Sequence, residues 1–222
     1  MKRHLAIGDI HGCFTALTTL VTFVDPRPDD TIVTLGDYVD RGPASRAVVD
    51  LIIEMSTTHR LVPLRGNHEI MMLDAREKQS WLRPWLSYGG EATLQSYGGS
   101  FDGVPEAHIE FLSNHLVSHH ECESHFFVHA FAEADVALHD QSEAALYWRK
   151  YRNPQPHCSG KIMVCGHTAQ QSGVPLNDGH SICIDTWAHG GGWLSCLDVT
   201  SGTVWQANEN GETRTLSLET QN

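Results

Sequence analysis

The 222-residue chain contains no apolar run approaching the roughly 20 residues a membrane helix needs. The apolar stretch after Lys2 and Arg3 is cut by Gly8, Asp9 and His11, so no secretory leader is expected. Cys-x-x-Cys pairs are absent. The six scattered cysteines (Cys13, Cys122, Cys158, Cys165, Cys183 and Cys196) read as small buried hydrophobes of a reducing cytoplasm, not as a disulfide framework. Basic residues are scarce, 15 against 27 acidic, for a formal net charge of -12. That excludes a general nucleic-acid binder, which shows a basic patch. It does not exclude an anionic substrate, because carboxylates that ligate divalent cations reverse the sign of the local field. Repeats, low-complexity tracts and convincing linkers are also lacking, and a single domain over residues 1–222 is expected.

The chain does have a repeated alternation of strand, turn and helix. His4 to Ile7 reads as a strand ending at Gly8-Asp9-Ile10-His11-Gly12, and Phe14 to Val24 follows with helical spacing. Thr31 to Leu35 is a β-branched strand ending at Gly36-Asp37-Tyr38-Val39-Asp40-Arg41-Gly42. Pro43 suits a first helical position, and Ala47, Val48, Leu51, Ile52 and Met55 mark one helix face. Leu61 to Leu64 ends at Arg65-Gly66-Asn67-His68-Glu69. Ile70 to about Leu116 reads as mostly helical, broken at Gly89-Gly90 and Gly98-Gly99. Further strands are expected at Phe126 to Val128, Lys161 to Cys165 and Ser181 to Ile184, with a closing hairpin of Trp193 to Asp198 and Thr203 to Gln206. Such alternation indicates an α/β layered fold.

Polar residues follow directly after these apolar strands, where open α/β sheets bind their ligands. Asp9, His11, Asp37, Asp40, Asn67, His68, His129 and His167 therefore converge on one place. Carboxylate, imidazole and amide oxygen suit divalent ions such as Mn, Fe or Zn, and the lack of thiolate argues against a structural zinc site. Eight groups exceed one ion's needs, but they can serve two ions and a catalytic pair. Each motif alone has a plain structural reading: a solvated Asp-Arg turn, a helix cap at Asn67 or His68, a loop histidine at His167. Their occurrence together, in order and at strand ends, carries the functional reading.

These motifs resemble the signature of the phosphoprotein phosphatases, with His129-Ala130 and Gly166-His167-Thr168 as that family's two later histidines. Arg65 to Asp74 is similar to the branch containing the bacteriophage lambda protein phosphatase and its bacterial relatives. Tyr88-Gly89-Gly90-Glu91-Ala92-Thr93-Leu94 through Gly98 is similar to a bacterial part of it. The resemblance runs from about Leu5 to Val204. It implies an α/β metallophosphoesterase (calcineurin-like) sandwich of two mixed sheets flanked by helices. It also implies that Asp9, His11 and Asp37 hold a first metal, with Asp37 bridging, and that Asn67, His129 and His167 complete a second. His68 is then the acid for the leaving alcohol, oriented by Asp40, and Arg41 and Asn67 contact phosphate.

The match loosens at Leu146-Tyr147-Trp148-Arg149-Lys150, where the family has Trp-x-Arg. Placing Tyr147 at the family's tryptophan makes Arg149 the phosphate ligand, and its bidentate fork favours that alignment. Placing Trp148 there puts Lys150 in the slot. Phe131 to Asp135 also departs from the pattern, in a stretch that bears on substrate contacts. His115, His119, His120 and His125 read as a solvated helix end and loop; His139, His157, His180 and His189 carry no partner motif. Trp81, Trp85, Trp187, Trp193 and Trp205 read as core or groove wall.

The expected activity is two-metal hydrolysis of phosphomonoesters, chiefly phosphoserine and phosphothreonine in proteins, with Mn the leading cofactor and Fe or Zn as alternatives. The expected partners are a phosphorylated protein or a small phosphoester, without nucleic acid or membrane. Two rivals are hydrolysis of dinucleoside polyphosphates such as diadenosine tetraphosphate, and a non-catalytic metal-binding scaffold. The scaffold would be expected to have lost metal ligands, and none is missing.

Overall fold

A computed structural model describes residues 2–219. The elements run β1 (His4–Ile7), α1 (Phe14–Val24), β2 (Thr31–Thr34), α2 (Ser45–Thr58), β3 (Arg60–Pro63), α3 (Asn67–Glu77), α4 (Gln79–Trp85), α5 (Glu91–Ser96) and α6 (Glu106–Asn114). The second half is strand-rich: β4 (His119–Glu121), β5 (His125–Val128), β6 (Ile162–Cys165), β7 (Leu176–Asn177), β8 (Ser181–Cys183), β9 (Leu194–Asp198), β10 (Thr203–Ala207) and β11 (Thr213–Ser217).

Two sheets form, in the orders β11-β10-β9-β1-β2-β3 and β4-β5-β6-β8-β7. Both are mixed. β1, β2 and β3 are parallel, as are β5, β6 and β8, whereas the edges add antiparallel partners. Side chains alternate across each strand. Ala6 and Val33 of the first sheet face Phe127, Val164 and Ile182 of the second in one buried cluster. Leu5, Ile7 and Ile32 point the other way, onto α1, α2 and the later helices. Phe126, Val128, Met163 and Cys183 pack outward against Phe131, Leu146, Tyr147 and Tyr151. Strands buried on both faces need apolar runs, and these are short enough to leave their polar successors at the rim.

Several local expectations shift. α2 begins at Ser45, not at Pro43, because the preceding residues are tied back to the first loop: Ala44 N–H donates to the Gly12 carbonyl at 3.0 Å. The helical middle breaks as expected at Gly89, with φ 109°, and at Gly98, with φ 90°. The histidine-rich stretch is different. Only His115 caps a helix; His119 and His120 lie in β4 and His125 in β5, where its ring is buried. The strand expected at Phe126 to Val128 forms, one residue longer, but polar composition hid β4, which pairing with buried β5 decided rather than propensity. β7 and β11 were also not anticipated from the sequence. All six cysteines are free thiols, four of them buried. No helix among the described residues is long and apolar enough to cross a membrane.

Candidate metal centre

The expected residues sit where chain leaves the strands. Asp9 and His11 follow β1; Asp37, Asp40 and Arg41 follow β2; Asn67 and His68 open α3 after β3; His129 follows β5 and His167 follows β6. The backbone there is contorted. Of eight non-glycine residues with positive φ among those described, six are His11, Asp37, Asp40, Arg41, His167 and Trp187. Each such residue costs of order 1–3 kcal/mol and persists only where its surroundings impose it. Glu69 is one of the imposing groups. Its carboxylate accepts the N–H groups of Gly66 at 2.9 Å, Asp37 at 3.0 Å, Tyr38 at 2.8 Å and Val39 at 3.3 Å. Gly166 is required for another reason: a Cβ there would lie 1.9 Å from Asp9 Oδ1.

Two donor triads result, His11-Asp37-His68 and Asp37-His129-His167, each with its ligand atoms within 4.8 Å of one another. Asp37 belongs to both, and its two oxygens divide between them. Oδ2 lies 3.4 Å from His11 Nε2 and 4.0 Å from His68 Nε2, whereas Oδ1 lies 3.5 Å from His129 Nε2. Asn67 Oδ1 lies 3.0 Å from His129 Nε2. Asp9 stands just outside the triads, its oxygens accepting the His167 N–H at 3.1 and 2.9 Å.

The donor chemistry fits divalent cations. His11 Nδ1 donates to the Val39 carbonyl at 3.0 Å and His129 Nδ1 to the Leu35 carbonyl at 2.8 Å. A carbonyl can only accept, so both rings carry their proton on Nδ1 and present a lone pair at Nε2, the orientation metal-binding histidines are given by their outer partners. Burial pushes the pKa values of His11, His129 and His167 down, His167 to about 3, which keeps them in the neutral ligating form. Burial alone would raise Asp37, but His129, His68, His11 and His167 outweigh it and hold the carboxylate well below its usual range. Asp9 is the reverse case: burial, Asp185 and Asp37 push it well up. Crowded buried carboxylates and lone pairs facing one another are unfavourable until cations lie among them.

His68, although it lies within reach of His11 and Asp37, is paired with Asp40. His68 Nδ1 lies 2.6 Å from Asp40 Oδ2, and Asp40 also accepts from Trp85 Nε1 at 2.9 Å and Thr93 Oγ1 at 2.7 Å. Burial opposes the imidazolium, but Asp37 and Asp40 overcome it and raise the His68 pKa. A proton is therefore held on a ring whose Nε2 faces the Asp37 carboxylate at 4.0 Å.

The cations divide differently from the expectation. Arg41 is exposed, with one guanidinium nitrogen 2.8 Å from His11 Nε2 and 3.1 Å from His189 Nε2. Arg149 turns to Glu133 at 3.2 Å and lies over the Phe131 ring at 4.5 Å. Lys150 Nζ instead donates to the His167 carbonyl at 2.9 Å, against a member of the second triad. Sequence reasoning missed Asp185 and His189. Asp185 is buried and pushed up to about 6, chiefly by burial. It follows directly after the strand expected at Ser181 to Ile184, so the acid-after-strand rule that singled out Asp9 and Asp37 would have found it. His189 carries no local signal at all.

Residues 2–171 match the family described as calcineurin-like phosphoesterase. The chain belongs to that family. Among curated relatives, serine/threonine-protein phosphatase 1 of Salmonella typhimurium is 44% identical over 93 residues, 40% of this chain and 40% of that protein. The symmetrical bis(5'-nucleosyl)-tetraphosphatase of Edwardsiella ictaluri is 41% identical over 70 residues, 31% of this chain and 24% of that protein. The chain thus matches well under half the length of these relatives. The cold-active protein-tyrosine phosphatase of a psychrophilic Shewanella superposes with a TM-score of 0.71 at 16% identity, covering 98% of this chain and 81% of that one. That likeness is one of fold, and the fold is the metallophosphoesterase sandwich of two mixed sheets flanked by helices.

Proposed function

We propose that this chain is a single-domain, two-metal phosphomonoester hydrolase of the cytoplasm acting on phosphorylated proteins, phosphoserine and phosphothreonine among them. The observation that carries the reading is Asp37, whose two oxygens face separate donor triads beside the His68-Asp40 pair. Asp9, His11 and Asp37 would hold one ion and Asp37, Asn67, His129 and His167 the other, with Mn the first choice for an oxygen and nitrogen donor set. When bound, the two ions would lower the pKa of a water and offset phosphate charge.

The protein's own groups supply the rest. Arg41, at the rim, is placed to grip phosphate oxygens with its planar fork. Lys150 is the better placed of the two candidate cations on the second side, since Arg149 is engaged with Glu133. His68 Nε2 is positioned to protonate a departing alkoxide, a poor leaving group without a proton.

A second reading, cleavage of diadenosine tetraphosphate, is favoured by the tetraphosphatase relatives. A long polyanion calls for extra cations around the metals, and Ser80 to Gly103 offers only Arg83. The test is side-by-side kinetics of the Mn-reconstituted protein on phosphopeptides and diadenosine tetraphosphate, with chelation as control. A higher kcat/KM for the phosphopeptide is expected. A tenfold dinucleotide preference would overturn the phosphoprotein reading, and full activity with one tightly bound ion would overturn the two-metal reading.

A further inference from the structure

The segment Tyr88 to Gly98 contains none of the candidate metal ligands, yet two of its glycines make room for neighbours of the site. Gly89 takes φ 109°, and a Cβ there would lie 2.7 Å from Arg41 Cγ. Its carbonyl accepts the Arg41 N–H at 3.1 Å. A Cβ on Gly90 would lie 2.3 Å from Cε2 of Trp85. The Trp85 indole fills that space, fully buried and stacked on Phe101 with ring centres 5.2 Å apart. The bend at Gly89 thus brings the end of α4 and the middle of α5 onto the loop after β2.

Both helices converge on one carboxylate. Trp85 Nε1 donates to Asp40 Oδ1 at 3.0 Å and to Oδ2 at 2.9 Å, and Thr93 Oγ1 donates to Oδ1 at 2.7 Å. Thr93 Oγ1 also accepts the Asp40 N–H at 2.8 Å. A hydroxyl has one proton to give. Thr93 gives its proton to the carboxylate, so Ser45 Oγ, 3.1 Å away, donates to Thr93. Oδ1 is thereby occupied, and Oδ2 is left to face His68 Nδ1 at 2.6 Å. Asp40 has φ 72°, a backbone that its surroundings must impose. Thr93 grips both its N–H and its side chain. Asp40, Ser45, Trp85 and Thr93 are all buried.

We propose that Trp85 and Thr93 are positioning residues for the acid, holding the Asp40 carboxylate in the rotation that turns Oδ2 to His68 Nδ1. Neither reaches substrate, because both are enclosed; they act through Asp40. The last torsion of an aspartate is broad. Without these donors the carboxylate is free to turn, and the imidazole it orients loses its single setting. A reacting group keeps its geometry only when its partners are themselves held. The inference rests on the phosphomonoesterase reading with His68 as the acid, and it gives the Gly89-Gly90 segment a use.

The experiment compares wild type with three variants. Trp85→Phe keeps a packed ring and removes the N–H, Thr93→Val keeps the shape and removes the hydroxyl, and Thr93→Ser retains the hydroxyl. Mn-loaded proteins are assayed on a phosphothreonine peptide and on nitrophenyl phosphate. Trp85→Phe and Thr93→Val should lower kcat for the peptide roughly 10-fold, part of the 10²–10⁴ that general acid catalysis supplies. KM should change little, nitrophenyl phosphate should be affected less, and Thr93→Ser should stay near wild type. Zn-loaded proteins, whose d¹⁰ ion is suited to proton NMR, give a second readout. Wild type should show a downfield imidazole N–H resonance that His68→Ala removes. Trp85→Phe and Thr93→Val should shift or broaden it, and Thr93→Ser should preserve it. Equal losses on the two esters, equal losses in Thr93→Ser and Thr93→Val, or a resonance absent from wild type or unmoved in the variants, overturn the positioning role. If wild type hydrolyses neither ester the phosphomonoesterase reading fails instead, and the resonance still decides whether Trp85 and Thr93 hold the pair.

Discussion

Glu69 Oε2 accepts the backbone N–H of Asp37 at 3.0 Å, across 32 residues of sequence. The carboxylate that faces both donor triads thus hangs from the first turn of α3. Glu69 also takes the N–H groups of Gly66, Tyr38 and Val39, so it ties the loops after β2 and β3 into one body.

Glu69→Ala would leave those buried donors without an acceptor, and an unsatisfied buried group costs about 1–3 kcal/mol. A destabilisation of at least about 2 kcal/mol in urea unfolding is expected, together with weaker metal binding by calorimetry. Glu69→Gln, which keeps one acceptor oxygen, should lose less. Wild-type stability in the alanine variant would show that the loops hold their shape without it.

Removing the proposed acid should separate chemistry from metal binding. His68→Ala is expected to reduce turnover of alkyl phosphates by roughly 10²–10⁴ and to reduce nitrophenyl phosphate turnover less, because nitrophenolate needs no proton. The raised His68 pKa keeps the acid form present below that value and removes it above, giving an alkaline limb in kcat. Asp40→Asn deletes the stabilising charge and should move that limb to lower pH. Equal losses on both ester types, with an unmoved limb, would make His68 structural.

The two neighbouring cations should behave unequally. Lys150→Ala is expected to raise KM and lower kcat more than Arg149→Ala, since Lys150 lies against His167 and Arg149 is committed to Glu133 and Phe131. Steady-state kinetics on one phosphopeptide decide it. The reverse order would restore the bidentate role that the sequence alignment favours for Arg149.

Far from the site, Arg3 and Asp30 set an acid limit on stability. Asp30 accepts from Arg3 Nε at 2.9 Å and from the backbone N–H groups of Arg27 at 2.8 Å and Arg3 at 3.1 Å. Burial works against ionisation, but these donors outweigh it and hold the pKa below the usual range. A depressed carboxyl contributes stability above its unfolded value, near about 4, and loses it as pH falls through the folded value. Asp30→Asn should therefore destabilise by about 1–3 kcal/mol at neutral pH. The gap should narrow below about pH 4 in urea titrations. A gap independent of pH would mean that Asp30 acts by shape alone.

The sequence determined the most about groups whose role is set by local order. Asp9, His11, Asp37, Asn67, His129 and His167 each follow a short apolar strand, and a parallel sheet must deliver such residues to one rim. The hairpin of β9 and β10 was legible in the same way, from alternation around a turn at Ser201-Gly202. The histidine-bearing β4 was not, because its sequence is polar and only a buried neighbour makes it a strand. Tertiary structure alone decided that Asp37 turns one oxygen to each triad, that Lys150 and not Arg149 lies against His167, and that His189 approaches Arg41. The physical reason is reach. Strand ends are fixed by periodicity within a few residues, whereas the direction of a side chain in a strained loop is set by partners 30 to 150 positions away, as for Glu69 with Asp37 and His189 with Arg41, at separations of 32 and 148.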